Sequence, residues 1–525
     1  MRESRGGGLV KPTALNVILI KPSKYGKDGY VERFRWGFMP NATLPYLRSM
    51  TPSEIDGIPI QVSTIDEYVM GDTDYLARLK RHHGEQTLVA LVAVQSHQFH
   101  RAGDIAALAY LNGCLAVIGG PHPMTCNTEM LQGRGVSFAL AEAETVWPAI
   151  LSDAVQGKLK PIYGHGERWA KKLEPPVLIP ASREELSGYI IPMVGIYPAR
   201  GCVFRCNFCS VVKITGQRMR SQPVAITIES IRRAKAAGIR LIMFVSDNFN
   251  KYKEVVDLLT AMIEERFDLP FFCQCDTQIV RQPELLELLK RAGCFQIFLG
   301  VESLDRKTLL AAKKAQNHPE KYWQIVAQCR RLGISTHFSQ IIGFPEDTEH
   351  QICDQVEQIR DIGPTVASFY TLCPIPGTEQ YDDFMRQGVI TEENLDRFDG
   401  TCSTWQHPNL SGNDLDRLFR NCYRRFYTAG HALRNLRYLK PGPGGILPAI
   451  GGSLGYGAFA RYSAWRGRHP MSGGVASVKT DHVRDYIDTR RTLYGLSHFP
   501  LPESLSLTAE EEKWNSQANP AVFSA

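Results

Sequence analysis

No apolar run in this sequence approaches the roughly 20 residues that a membrane-crossing helix needs, so nothing in it reads as a transmembrane segment. The N-terminus, MRESRGGGLVKPTALNVILIKPS, sets basic residues before an apolar stretch. LNVILI is too short for a signal-peptide core, and no small-residue cleavage site follows. The segment reads as a frayed tail leading into a first strand, and a cytoplasmic protein is expected. Massed charge is also lacking: Lys and Arg are spread along the chain and the formal net charge is only +6, which gives no case for nucleic acid. A disulfide framework is missing too. Thirteen cysteines would suit one only in a small secreted chain. Here most stand singly (Cys114, Cys294, Cys329, Cys353, Cys422) in apolar helix-like or strand-like contexts and read as buried reduced thiols.

What is present is an α/β protein of two or three domains: 525 residues exceed one typical core, and 43% hydrophobic with 22% charged residues is ordinary globular composition. Over residues 1–150, strand candidates at Asn16–Ile20, Ile60–Ile65, Leu88–Val94, Ala116–Ile118 and Val136–Leu140 alternate with helical patterns. One such pattern, Phe99–Asn112, puts Ile105, Leu108, Ala109 and Leu111 on one face. Alternation of this kind implies a parallel sheet covered on both faces, in flavodoxin-like order, with ligands at the carboxyl ends of the strands. Residues 151–190 are rich in Gly, Pro and charge and read as a linker.

Residues 191–376 alternate again. The strands are VGIYPA, LIMFVS, FFCQCD, QIFLGV, HFSQII and VASFYTL, separated by helical segments that often close on Ala-Gly or Leu-Gly. Six such pairs make a partial (β/α)6 barrel, with chemistry expected at the carboxyl ends of its strands. Residues 377–525 lose this rhythm and read as a mainly helical region on the substrate side. Thr391–Arg397 and Asn413–His431 look helical, and the Gly- and Pro-rich PGPGGILPAIGGSLGYGAF reads as an irregular surface-hugging segment, with a substrate lid or a membrane-surface patch as the alternative.

One cysteine group breaks the scattered pattern. In Arg200-Gly-Cys-Val-Phe-Arg-Cys-Asn-Phe-Cys-Ser210, the thiols of Cys202, Cys206 and Cys209 can converge from one tight loop on three irons of a cubane cluster. Three ligands leave the fourth iron open to an external ligand. Structural zinc wants four ligands, usually as two pairs, and no second pair follows at a fitting distance. A thioredoxin-like pair of Cys206 and Cys209 would leave Cys202 unexplained.

CVFRCNFC resembles the CxxxCxΦC signature of the radical S-adenosylmethionine (SAM) superfamily, with Phe208 at the aromatic position. The likeness extends over most of the second alternation. Ser246-Asp247-Asn248 stands where the family usually carries Gly-Gly-Glu. Gly300-Val-Glu302-Ser303 looks like its Gly-x-Glu-Ser, and Ile341-Ile-Gly343-Phe-Pro345 like its Ile-x-Gly-Φ-Pro turn. The resemblance implies a [4Fe–4S] cluster on the three cysteines and SAM beside Phe208, Ser246, Asp247, Asn248, Glu302 and Gly343. It also implies reductive cleavage of SAM to a 5′-deoxyadenosyl radical, and an electron donor such as flavodoxin or ferredoxin.

A flavodoxin-like domain ahead of such a barrel resembles the cobalamin-binding class of the superfamily. Ile118-Gly119-Gly120-Pro121-His122 matches that class's Gly-Gly-Pro-His turn. Lys21-Pro-Ser23-Lys-Tyr-Gly26 keeps the glycine of Asp-x-His-x-x-Gly but replaces Asp and His, so no histidine cobalt ligand is expected from that loop. Ala141-Glu142-Ala143-Glu144 keeps the acids of Gly-Glu-Gly-Glu. The implied cobalamin contacts are Ser23, Gly26, Ser96, His97, Gly119, Gly120, Pro121, His122 and Glu142. The class points to a methyltransferase acting at an unactivated carbon of a small molecule or lipid, with an oxidative cyclase or rearrangement enzyme as the alternative. From other classes, a non-catalytic iron–sulfur protein would form no 5′-deoxyadenosine, and a zinc-stabilised binding module would be colourless. Tyr370 and Cys373, at the end of the sixth strand, are the substrate-contact candidates.

Overall fold

The computed structural model describes residues 12–69, 84–437 and 446–516. The N-terminal tail through residue 11 lies outside them. Five parallel strands form the body of the seven-stranded first sheet, which two-residue strands extend at each edge: β1 (Leu15–Lys21), β2 (Ile58–Asp66), β3 (Gln86–Leu91), β4 (Leu115–Gly119) and β5 (Val136–Ala139). Their spatial order is β2-β1-β3-β4-β5, the flavodoxin-like order, with Leu15 in register with both Ile60 and Gln86. The strands are apolar on both faces because both are covered: Val17 and Leu19 pack on one side, Ile18 and Ile20 on the other. Helix α1 (Phe99–Leu111) covers one face through Ala102, Ile105, Ala106 and Ala109. The expected Leu111 is instead 46% exposed, because the sheet takes the small residues one turn earlier.

Helix α2 (Ala143–Val155) runs past residue 150, and Ile162–Tyr163 pairs with β5. The start of the expected linker therefore belongs to the first sheet.

The second sheet holds β6 (Met193–Ile196), β7 (Leu241–Phe244), β8 (Phe271–Cys275), β9 (Cys294–Glu302), β10 (Ser335–Ile342) and β11 (Val366–Thr371), all parallel and in sequential order. Helices follow the strands as expected, and Gly333 and Gly363 end two of them at φ 68 and 80, the left-handed cap that glycine adopts without strain. The sheet does not close: β6 and β11 are its two margins. Helix α3 (Gly412–Phe426) covers β11. The Tyr423 hydroxyl bonds both the N–H and the carbonyl of Phe369 at 3.1 Å, and the Tyr427 hydroxyl does the same for Ala367 at 3.1 and 2.8 Å.

Three expectations for the C-terminal region are corrected. Only Leu395–Arg397 of the expected 391–397 helix is helical, as one short 3₁₀ turn. The helix expected over 413–431 breaks after Phe426, where the Thr428 side chain caps a new helix at Ala429–Leu436. The Gly- and Pro-rich segment carries a 20-residue helix, α4 (Ile446–Trp465), not an irregular coil. Its glycines permit close approach: a Cβ on Gly457 would sit 3.2 Å from the Tyr427 ring. The chain then returns to the N-terminal part, where Gly474–Val478 and Arg33–Gly37 form a separate two-stranded sheet and Phe499 packs on Phe99 and His100. No helix among the described residues is long and apolar enough to cross a membrane.

Candidate functional site

The cysteine loop leaves β6 through a two-residue ladder, Ala199–Arg200 against Arg220–Ser221, which closes residues 201–219 into one excursion. Gly201 starts it at φ +112, where a Cβ would lie 2.2 Å from the Arg218 carbonyl, so only glycine fits the turn. Cys202, Cys206 and Cys209 lie within this loop, unbridged and partly exposed, whereas nine of the other cysteines are buried. Burial raises all three thiols, and the neighbouring thiols raise Cys202 and Cys209 further, Cys209 to about 12. Irons bound there would supply the positive charge that deprotonates them. No three His, Cys, Asp or Glu among the described residues are close enough together to ligate a single ion.

The end of β7 braces the loop. Asp247 accepts from the Gly201 N–H at 3.2 Å and the Thr215 hydroxyl at 2.9 Å, so this expected SAM contact serves the loop itself. Asn248 donates to the Cys202 sulfur at 3.0 Å. Ser246 is 4% exposed and its hydroxyl has no partner, as a ligand-facing donor would be. Glu302 ends β9 at a bulge with φ +59, a strained backbone for a glutamate, and its carboxylate meets Lys314 at 2.7 Å. The Lys314 ammonium also stands 5.8 Å from the Phe208 ring. Nothing local marked this lysine in the sequence; its role comes from the fold. Gly343 sits at φ +80, and a Cβ there would be 2.7 Å from Leu415.

A cavity of about 550 Å3 lies between the carboxyl edge of the first sheet and this loop. From the first sheet it is lined by Lys21, His97, Gly119, Gly120, Pro121 and Glu142; from the barrel side Tyr197, Arg200, Ile214, Thr215 and Met243 complete it. Gly120 has φ +131, and a Cβ would fall 2.2 Å from the Val94 nitrogen, so the turn passes closer to β3 than any side chain allows. Burial and the nearby Lys24 push His97 down to about 3, leaving a neutral imidazole.

Four expected cobalamin residues stand off the wall. His122 is 1% exposed, stacks on Phe99 and bonds Ser96 at 3.0 Å, so each has a partner within the first domain. The Ser23 N–H donates to Glu67, and Gly26 lies beside a different, polar cleft with Asp399. Glu142 does line the cavity, but its carboxylate holds Arg220 at 2.6 and 2.8 Å. Glu144 takes Arg200 at 3.0 Å, and Arg200 lies over the Tyr46 and Tyr197 rings. These ion pairs tie the fifth loop of the first sheet to the hairpin that carries the cysteines. Of the substrate candidates, Tyr370 stacks on His469 at 4.0 Å, while Cys373 is buried in an apolar cluster with Tyr381 and Phe398. Cys373 therefore faces packing and not a cavity.

Lys21 carries a testable consequence. It donates to the Ala93 carbonyl at 2.7 Å and to Gln98, and burial drives its ammonium down to about 7 against the opposing pull of Asp66. Unfolded, a lysine titrates near roughly 10.4. Between these values the unfolded chain binds more protons, so stability rises with pH from about 7 toward about 10. Lys21→Met removes that titration and is expected to flatten this part of the profile in urea unfolding. A rise of unchanged slope would assign it to another group.

A thiol triplet on the loop after the first strand of a six-stranded parallel half-barrel, with Ile214 and Thr215 of the same loop lining a sheet-edge cavity, fits an iron–sulfur protein of the barrel type. Residues 196–359 match the model of the radical SAM superfamily, so this segment is a radical SAM domain. Among its relatives is the bacteriochlorophyllide d C-8(2)-methyltransferase of Chlorobaculum tepidum, 26% identical over 68% of this chain and 78% of that protein. The hopanoid C-2 methylase of Rhodopseudomonas palustris is 24% identical over 76% of this chain and 73% of that one. The solved structure of the radical SAM methyltransferase TsrM from Kitasatospora setae, with cobalamin and a [4Fe–4S] cluster bound, shares the fold. Its TM-score is 0.56 at 16% identity, covering 77% of this chain and 85% of that one.

Proposed function

We propose that this chain is a cobalamin-dependent radical SAM methyltransferase of the cytoplasm, acting at a carbon of an apolar small molecule or lipid. The observation that carries this reading is the shared wall: Arg200, Ile214 and Thr215 of the cysteine excursion line the same cavity as Gly119 and Gly120 of the flavodoxin-like sheet. Bound there, the cluster and SAM supply reductive cleavage of a carbon–sulfur bond, and cobalamin supplies a transferable methyl group.

The chain's own residues divide the remaining work. Cys202, Cys206 and Cys209 hold three irons and leave the fourth open. Ser246 and Glu302 offer an unpartnered hydroxyl and a carboxylate to SAM's polar groups, with Lys314 holding Glu302 in place, and Phe208 offers a flat apolar face. Gly119 and Gly120 let backbone approach the flat cobalamin closely, and Lys21 and His97 present polar atoms at its rim. Apolar walls keep water from the reacting carbon. The electron donor is a flavodoxin or ferredoxin. All thirteen cysteines are unbridged, in keeping with a reducing compartment.

Relatives named for methylating a bacteriochlorophyllide and hopanoids support methyl transfer over oxidative cyclisation. The test is anaerobic reconstitution with iron, sulfide and cobalamin, followed by SAM and a reductant. Formation of 5′-deoxyadenosine and S-adenosylhomocysteine with a methylated product is expected. An oxidised, unmethylated product without S-adenosylhomocysteine would establish the cyclase reading instead, and colourless protein would overturn both.

A further inference from the structure

A second cavity, of about 1000 Å3, lies at the opposite end of the barrel, where β7 to β11 begin. Helix α4 forms one side of it through Tyr456, Gly457, Ala458 and Phe459, so the Gly-rich segment is a wall of this chamber. The chamber meets the cobalamin-side cavity: Phe38, Met39 and Met471 line both.

The chamber's chemistry is asymmetric. Phe272, Tyr427 and Phe459 make its interior aromatic, and its histidines are uncharged. His337 is pushed down to about 3 by burial, with His469 adding to the effect, and its ring bonds Ser368 at 2.7 Å. His431 is likewise lowered by burial. Among the described lining residues there is no Asp or Glu, whereas Arg240, Arg330 and Arg461 all contribute. Arg330 donates to the Gly363 carbonyl. Arg240 and Arg461 are exposed at the outer end, and no carboxylate partner is recorded for either among the described residues. Apolar surface continues outward there: Ile191, Phe295 and Leu454 are 42%, 38% and 44% exposed. Apolar area of this kind beside a cationic rim matches a molecule with an oily body and an anionic end.

We propose that this chamber binds an amphiphile entering from the amino-terminal end of the barrel. Its carboxylate or phosphate rests on Arg240 and Arg461, its apolar body fills the chamber, and its far end passes Met471 into the cobalamin-side cavity. This deepens the methyltransferase reading by naming its substrate class, and it rests on that reading for the chemistry at the far end. It also accounts for Tyr370 and His469, whose stacked rings stand next to Met471: the Tyr370 hydroxyl bonds the Met471 sulfur at 3.8 Å.

The test is equilibrium dialysis of tritiated palmitate and tritiated hexadecanol, both below their aggregation limits, against the reconstituted full chain. Saturable binding of both is expected, tighter for palmitate. The double reversal Arg240→Glu with Arg461→Glu, both on the surface, should weaken palmitate about tenfold and hexadecanol less than about twofold, since only the acid loses a charge-assisted contact. Ala458→Trp fills the chamber and should weaken both by about tenfold or more. Circular dichroism melts confirm that the variants fold. Equal weakening of acid and alcohol by the double reversal, or no saturable binding to wild type, overturns the proposal, as does unchanged binding in Ala458→Trp. Cobalamin content and 5′-deoxyadenosine formation, read on the same wild-type preparation, report separately on the chemistry. Their absence with palmitate binding retained would sink the methyltransferase reading and leave the chamber standing.

Discussion

Replacing Cys206 with alanine is expected to strip the protein of its iron and to cut SAM cleavage on the order of a thousandfold or more, because a cubane held by two thiolates loses a corner of its only protein anchorage. The thiol is partly exposed and its sulfur accepts from Gln316 at 3.8 Å, so its removal opens no core. Cobalamin should still load, because Cys206 does not line the cavity beside Gly120. Cys353 provides the control: it too is partly exposed and unbridged, but it sits on the helix Glu349–Ile362, away from the loop. Cys353→Ala should keep full iron and activity. Iron counted per chain, visible absorption and 5′-deoxyadenosine formation read out both variants. Full iron in Cys206→Ala would end the coordination argument.

Gly120→Ala is expected to cost about 3 kcal/mol or more, while its neighbour Gly119→Ala costs less than about 1 kcal/mol. The two glycines look alike in the sequence and differ in space. A Cβ on Gly120 would stand 2.2 Å from the Val94 nitrogen and 2.7 Å from the Ala93 carbonyl carbon, both backbone atoms that cannot yield, at φ +131. On Gly119 it would meet the Ala139 Cβ at 3.4 Å, an ordinary contact. Urea unfolding followed through the first sheet should separate the two, and cobalamin retention should fall with Gly120→Ala alone. A Gly120→Ala protein as stable and as cobalamin-replete as wild type would mean that the turn relaxes freely and cradles nothing.

Strand-by-strand, the two sheets were legible for a physical reason. A parallel strand covered on both faces must be a continuous apolar run, and QIFLGV or VASFYTL cannot be read as an amphipathic helix. Loop geometry was legible where it depends on neighbours in sequence: the three cysteines share one loop, and Gly119-Gly120 form a tight turn. It was not legible where distant residues decide the outcome. The sequence shows neither the ion pair of Glu142 with Arg220 nor the packing of His122 against Ser96 and Phe99. Lys314 has no motif around it and gains its position only when β9 brings Glu302 alongside. The helix α4 was missed because glycine and proline lower helix propensity locally, whereas packing of Ala460 and Ala464, both fully buried, is a tertiary matter.

A sheet that stops at six strands leaves raw margins, and a bare margin invites another backbone to zip onto it. On β11 that invitation is withdrawn by Tyr423 and Tyr427, whose phenols occupy both hydrogen-bonding groups of Phe369 and Ala367. No foreign ribbon can extend the wall at these residues. The half-barrel therefore ends at β11 on its own side chains, and its margin carries no penalty in self-association there.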